Sequence, residues 1–106
     1  MNFQDYLAQM PDIGHLSGLN ILNADGSLHH HIPAAPGKLG SLKLYYALLQ
    51  QFGGTLDRRA AEQGLIWFAE HLADARANPG KHPNIDLLLH VEQSHTVLTL
   101  QAVPAA

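Results

Sequence analysis

Three consecutive histidines, His29, His30 and His31, are the residues best suited to chemistry in this sequence, which holds eight histidines among 106 residues. Imidazole binds metal ions and also titrates near neutral pH. Because side chains alternate along a strand, His29 and His31 would share one face and could hold one ion. We therefore treat His29 and His31 as candidate metal ligands, with zinc as the candidate cofactor. The chain would then be a metal-binding protein or a small metal-dependent hydrolase.

A zinc site built on this triplet requires one or two ligands from elsewhere in the chain. The available candidates are Glu70, His71, His90 and His95. None of them forms a second cluster at a recognised ligand spacing. The alternative is that His29 and His31 lie on a solvated sheet face, while His30 is partly buried and bonds a backbone carbonyl. The sequence favours this alternative, so our primary expectation is that no cofactor is bound.

Carboxylates stand three or four positions from several histidines, as Asp12 does from His15 and Asp74 from His71. On a helix this spacing makes the two side chains neighbours, and a carboxylate stabilises imidazolium. A pH-responsive surface is therefore a further hypothesis. Several of these pairs fall in predicted loops, where the spacing brings nothing together, so chance placement is the simpler explanation.

Segments 36–38 and 79–81 both read Pro-Gly-Lys, and each precedes a predicted helix. Free amides at a helix N-terminus attract anions, and a nearby ammonium adds to this attraction. Lys38, Ser41 and Lys81 are therefore candidate ligand-binding residues for a small anion such as a phosphate or carboxylate. The nucleotide-loop spacing G-x-x-x-x-G-K-[ST] is absent. The simpler alternative is that Pro and Gly turn the chain and that Ser41 caps a helix.

Nucleophilic catalysis has little support in the sequence. Cysteine is absent, which excludes thiol nucleophiles, disulfides and thiolate metal sites. No serine stands in a G-x-S-x-G elbow, and Glu70-His71 lacks the second histidine of H-E-x-x-H. We therefore expect a non-enzymatic binding or protein-interaction module, with the Pro-Gly-Lys loops as its anion site.

Charge and composition limit the classes of partner. The net charge is −3, and the six Lys and Arg residues are scattered along the chain, so nucleic acid is not an expected partner. No run approaches the roughly 18 apolar residues of a membrane span, and the N-terminus lacks the features of a secretion signal. We expect a cytoplasmic protein. The charged fraction of 14% leaves a weakly solvated surface, which favours a homodimer or another protein partner.

The N-terminal third predicts a short helix followed by a hairpin. Apolar residues from Phe3 to Met10 recur at helical spacing before Pro11. The hairpin covers 18–32, with a tight turn at Asp25-Gly26. A two-residue loop pairs Leu19 with Ile32 and Ile21 with His30, and it directs these four residues and Leu28 to the core face.

The rest of the chain predicts two longer helices, about 41–52 and 56–77, the second capped by Thr55. Tyr46 and Trp67 fall off the apolar stripes of these helices, so they are candidate interface residues. Residues 84–92 suit either a strand or a short third helix, and we prefer the helix because Pro83 can open it. Residues 96–103 predict a final strand with Leu98, Leu100 and Ala102 inward.

These elements predict one small α+β domain over residues 1–106. Its antiparallel sheet consists of hairpin 18–32 and the C-terminal strand 96–103, and helices 41–52 and 56–77 pack on one face.

Several segments occur in an order that extends over nearly the whole chain: 11–13, 15–18, 32–38, 40–46, 51–54 and 78–86. In this order they resemble a family of small proteobacterial proteins classed as a domain of unknown function. The resemblance implies no activity, cofactor or catalytic residue. It does imply that the Pro-Gly-Lys loops and segment 43–46 carry more information than the histidine triplet, which weakens the metal hypothesis.

Overall fold

The computed structural model describes all 106 residues, which form five helices and four strands. The helices are α1 Phe3–Leu7, α2 Leu39–Gln51, α3 Arg58–Phe68, α4 Glu70–Ala77 and α5 Pro83–Ser94. The strands are β1 Leu16–Leu22, β2 Leu28–Pro33, β3 Thr55–Leu56 and β4 Leu98–Pro104. The strands form one antiparallel sheet in the order β2-β1-β4-β3, which confirms the predicted α+β class.

The hairpin of β1 and β2 has the predicted register over most of its length. Leu19 pairs with Ile32 and Ile21 pairs with His30, as the alternation of side chains predicts. Leu19, Ile21 and Ile32 are fully buried beneath the helices. His30 therefore faces the helical layer as well, while His29 and His31 are exposed.

The turn end of the hairpin differs from the prediction, because residues 23–27 form a longer loop. Asn23 N–H donates to Ser27 O at 2.8 Å, and the Asp25 carboxylate accepts from Ser27 N–H and Oγ. The register also shifts between Ile21 and Leu22. Leu28 consequently leaves the core face and is 59% exposed.

The predicted helix 56–77 is divided. Thr55 does not cap it, because Thr55 and Leu56 pair with Thr99 and Leu98 as the edge strand β3. The cap of α3 is instead Asp57, whose side chain accepts from Ala60 N–H at 3.0 Å. At Ala69 the backbone reaches φ 52° and ψ −118°, which ends α3 and restarts the chain as α4.

The segment 84–92 forms a helix, as we preferred, within α5. Pro83 occupies its first turn, and Ile85, Leu88 and Val91 are buried. A close approach of α5 to α3 depends on Gly64, where a Cβ would lie 2.7 Å from Leu88 Cδ1.

The core lies between the sheet and α2, α3 and α5, with Tyr45 as its largest fully buried side chain. Helix α1 closes one end, where Phe3 and Leu7 are buried. A Cβ at Gly40 would lie 3.1 Å from the Phe3 ring, so glycine permits this contact between α1 and α2. None of the helices combines the length and the apolar character required to cross a membrane.

Candidate anion-binding cleft

The two Pro-Gly-Lys loops, far apart in sequence, contribute to one cleft of about 360 Å³. We call it the Pro-Gly-Lys cleft. Its lining residues are Phe3, Gln4, Gly37, Lys38, Leu39, Gly40, Ser41, Phe68, His71, Lys81, His82, Pro83, Asn84 and Ile85. All three residues predicted to contact an anion, Lys38, Ser41 and Lys81, are among them. Two loops that are separate in the sequence therefore lie at one cleft in the structure.

The wall of the cleft is basic although the chain as a whole is acidic. Lys38, Lys81, His71 and His82 line it, and no Asp or Glu does, while the net charge of the chain is −3. Exclusion of carboxylates from one concave surface concentrates positive potential there. An anion entering the cleft therefore meets lysine and histidine side chains, backbone N–H groups and apolar groups, and no lining carboxylate.

The same turn brings both lysines to the cleft. Lys38 N–H donates to Ala35 O at 2.9 Å, and Lys81 N–H donates to Asn78 O at 3.1 Å. The preceding glycines, Gly37 and Gly80, have φ angles of 83° and 92°. A Cβ would meet nothing at either position, so glycine is required by the left-handed backbone and not by crowding.

Two helices begin at the cleft without a side-chain cap. At the start of α2, the N–H groups of Leu39, Gly40 and Ser41 have no acceptor. At the start of α5, His82 provides no cap and Pro83 has no N–H, which leaves the Asn84 N–H free. Uncapped first turns carry partial positive charge and unused donors. Ser41 therefore lies within the first turn of α2 and does not cap it.

Asp74 on α4 contacts two residues that line the cleft, Lys81 and His82. Its Oδ2 accepts from Lys81 Nζ at 2.9 Å and from His82 Nε2 at 2.7 Å. These contacts, the His82 hydrogen bond above all, lower the pKa of Asp74 to about 2. Asp74 thus fixes His82 and Lys81 in place, whereas Lys38 has no ion-pair partner.

Asn84 is the buried polar residue of the cleft, with 8% of its surface exposed. Its Oδ1 lies 2.9 Å from His30 Nε2, and because a carbonyl oxygen only accepts, His30 is the donor. The Asn84 backbone carbonyl accepts from the buried Tyr45 hydroxyl. The middle histidine of the triplet thus reaches the cleft through Asn84, a contact that no local sequence signal indicated.

The candidate metal ligands His29 and His31 do not belong to any group of three metal-binding side chains. His31 Nδ1 donates to Asn20 Oδ1 at 2.6 Å, and His29 makes no side-chain hydrogen bond. No group of three or more His, Asp or Glu side chains is arranged to hold a metal ion. Glu70 instead accepts from Phe3 N–H at 2.8 Å. The structure therefore brings no third ligand to His29 and His31.

The candidate interface residues Tyr46 and Trp67 are both half-buried against the core. The Tyr46 hydroxyl accepts from Gln50 Nε2 at 2.9 Å and lies 3.3 Å from His15 Nε2. Trp67 lines a separate groove with Met10 and other residues. The two rings therefore have partners within the chain.

His71, His82 and Asn84 belong to the cleft, but sequence reasoning did not place them there. The only available signal was that His82 directly follows Lys81. His71 packs edge-on against the Phe3 ring, with centroids 4.9 Å apart. This contact joins two residues that are far apart in the sequence, so local spacing does not indicate it.

The chain matches the model of a known protein family. A family model described as "Uncharacterized protein conserved in bacteria (DUF2322)" matches residues 3–102. No curated protein and no solved structure matches the chain.

Proposed function

The chain belongs to that bacterial family, whose description names no activity, and from the cleft itself we propose that it is a binding module for a small organic anion. The observation that carries the proposal is the meeting of both Pro-Gly-Lys loops in one concave surface without carboxylates. Two uncapped helix N-termini open there as well. Cations, free amides and the absence of lining carboxylates together favour the binding of an anion.

Each predicted ligand-binding residue has a distinct role in this proposal. Lys38 has no ion pair, so its ammonium is available for direct contact with the anion. Ser41 offers a hydroxyl and a free N–H in the first turn of α2. Lys81 is bound to Asp74, so it contributes a positioned charge at the opposite loop.

The ligand has an apolar part in addition to its anionic group. Phe3 and Phe68 stack with ring centroids 5.5 Å apart, and both line the cleft together with Ile85. A volume of about 360 Å³ lies in the range of small-molecule sites, which combine apolar walls with a few polar groups. An organic phosphate or carboxylate fits this combination better than an inorganic ion.

The test is a calorimetric titration of phenyl phosphate into the wild-type protein and into two variants that each lose one lysine charge. Lys38→Gln removes the free cation of the cleft, whereas Lys43→Gln removes a cation of the same helix that lies in a neighbouring cavity beside Asp12. We expect Lys38→Gln to weaken binding by about tenfold, the loss of one charge-assisted hydrogen bond. Lys43→Gln should bind as the wild type does.

Two results would contradict the proposal. The first is no heat of binding at millimolar phenyl phosphate in low salt, where screening is weak. The second is equal weakening by Lys38→Gln and Lys43→Gln, which would assign binding to net charge and not to the cleft.

A further inference from the structure

We infer that the Asn84 side-chain amide recognises the phosphoryl oxygens of a phosphate monoester, with His30 holding the amide in the donating orientation. The inference rests on the function proposed above and deepens it. Asn84 is more than nine-tenths buried and lines the Pro-Gly-Lys cleft. Its Oδ1 is engaged by His30, and its Nδ2 has no partner within the chain.

The accessibility of the Asn84 Nδ2 group indicates which space it can reach. No fully buried side-chain nitrogen or oxygen is left without a hydrogen bond, so the unpartnered Nδ2 keeps contact with open space. The open space that Asn84 lines is the cleft. An amide donor that no group of the chain engages is available to an acceptor oxygen of a bound ligand.

His30 decides which end of the amide the cleft presents. An amide has a donor end and an acceptor end, and the imidazole can either donate or accept at Nε2. With a proton on Nε2, His30 binds Oδ1 and directs Nδ2 into the cleft. With Nε2 unprotonated, the amide would turn and present Oδ1, which repels an anion.

The positions of both residues are set by neighbouring elements. His30 lies opposite Ile21 in the hairpin, and this register directs it to the helical layer. Asn84 is held through its backbone carbonyl by the Tyr45 hydroxyl of α2. Strand β2 and helices α2 and α5 therefore meet at one amide, which gives the middle histidine a positioning role.

A phosphate monoester fits this donor set better than a carboxylate. The free donors are the N–H groups of Leu39, Gly40 and Ser41 on α2 and the amide of Asn84 on α5. They approach from two elements, and a tetrahedral group with three acceptor oxygens can use both sets. A carboxylate offers two oxygens that lie in one plane, so it matches donors from two directions less well than a tetrahedral group does.

The experiment titrates phenyl phosphate and benzoate into wild type, Asn84→Asp, Asn84→Ala, His30→Phe and the Asn84→Ala, His30→Phe double variant. Benzoate should bind at least tenfold more weakly than phenyl phosphate to the wild type. Asn84→Asp replaces the donor by a carboxylate oxygen, so we expect a loss of more than tenfold for phenyl phosphate. His30→Phe should weaken binding about fivefold in the wild-type background and have no further effect in Asn84→Ala.

Nitrogen NMR of the wild-type protein tests the same inference and does not require that any variant folds. We expect His30 to carry its proton on Nε2, and we expect the Asn84 side-chain amide resonances to move on addition of phenyl phosphate. A proton on Nδ1 alone, or amide resonances that stay fixed at saturation, would overturn the inference.

The outcomes separate this inference from the proposed function. Undiminished binding to Asn84→Asp, or additive effects of Asn84→Ala and His30→Phe, would overturn the roles of Asn84 and His30 and leave anion binding standing. Equal affinity for benzoate would overturn the choice of phosphate. No binding of either compound to the wild type would overturn the inference and the proposed function together.

Discussion

Asp74 Oδ2 accepts a hydrogen bond from His82 Nε2 at 2.7 Å, and it joins α4 to the turn that opens α5. The same oxygen accepts from Lys81 Nζ, while the other carboxylate oxygen accepts from Asn78 Nδ2 at 2.9 Å. One carboxylate thus organises segment 78–82 and remains outside the cleft wall. Asp74 is not a lining residue of the cleft, but its ion pair offsets the charge of Lys81, which leaves Lys38 as the lining lysine without an ion pair.

The first prediction concerns pH. The pKa of Asp74 falls from 3.8 to about 2 in the folded chain. A lowered carboxyl pKa stabilises the folded state above the unfolded pKa, and this stability is lost as the pH falls through the folded pKa. Asp74→Asn should therefore lower the urea midpoint at pH 7, and its difference from the wild type should shrink between pH 4 and pH 2.

Asp12→Asn is the matched control, because Asp12 is exposed and makes no side-chain hydrogen bond or ion pair. It should leave the urea midpoint unchanged at pH 7. A difference between Asp74→Asn and the wild type that stays constant from pH 7 to pH 2 would contradict the assignment of the pKa shift.

The second prediction concerns the break between α3 and α4. Ala69 adopts φ 52° and ψ −118°, a conformation that is strained for residues with a Cβ and accessible to glycine. We expect Ala69→Gly to raise the free energy of unfolding by about 1 kcal/mol, measured by denaturant titration. Ala73→Gly, at an exposed helical position of α4, should lower it by about the same amount. Destabilisation by both variants would show that Ala69 is unstrained.

The third prediction compares two adjacent tyrosines. Tyr45 is fully buried, which raises its pKa well above the ordinary value, and its hydroxyl donates to Asn84 O. Tyr45→Phe leaves that buried carbonyl without this donor, so the free energy of unfolding should fall by about 1 to 3 kcal/mol. Phenyl phosphate should also bind more weakly, because Asn84 loses its anchor.

Tyr46→Phe serves as the control for Tyr45→Phe. The Tyr46 hydroxyl is bonded at the surface to Gln50 and His15, where water can replace it. Its loss should change stability by less than about 0.5 kcal/mol. Equal losses of unfolding free energy in Tyr45→Phe and Tyr46→Phe would show that the hydrogen bond from Tyr45 to Asn84 O stabilises the fold no more than a surface hydrogen bond does.

The fourth prediction concerns metal. The structure gathers no third ligand near His29 and His31, so one equivalent of zinc should give no saturable rise in the melting temperature of untagged, chelator-treated protein. Binding to a preformed native site would raise that temperature. The decisive contrary result is a rise in the wild type that disappears in the His29→Ala, His31→Ala double variant.

Much of the fold follows from patterns within single elements. Strand alternation was sufficient for the pairs Leu19–Ile32 and Ile21–His30, and helical spacing was sufficient for α1 and α2. For α5 the spacing suited strand and helix alike, and the entry at Pro83 favoured the helix. The same reasoning identified Lys38, Ser41 and Lys81 as ligand-binding candidates from loop chemistry. These features are local, because backbone geometry repeats every two or about 3.6 residues and marks the sequence at that period.

Other features depend on contacts between distant parts of the chain. No Gly or Pro marks the break at Ala69, and the exposure of Leu28 follows from a register shift that alternation does not reveal.

The sequence by itself determined the α+β class, the pairing of Leu19 with Ile32 and of Ile21 with His30, and the presence of two Pro-Gly-Lys loops. Only the tertiary structure decided that the loops share one cleft, and that His30 reaches Asn84 across 54 positions of the chain. The physical reason is that local periodicity specifies which face of an element is buried. Which residues then meet depends on the packing of whole elements against one another.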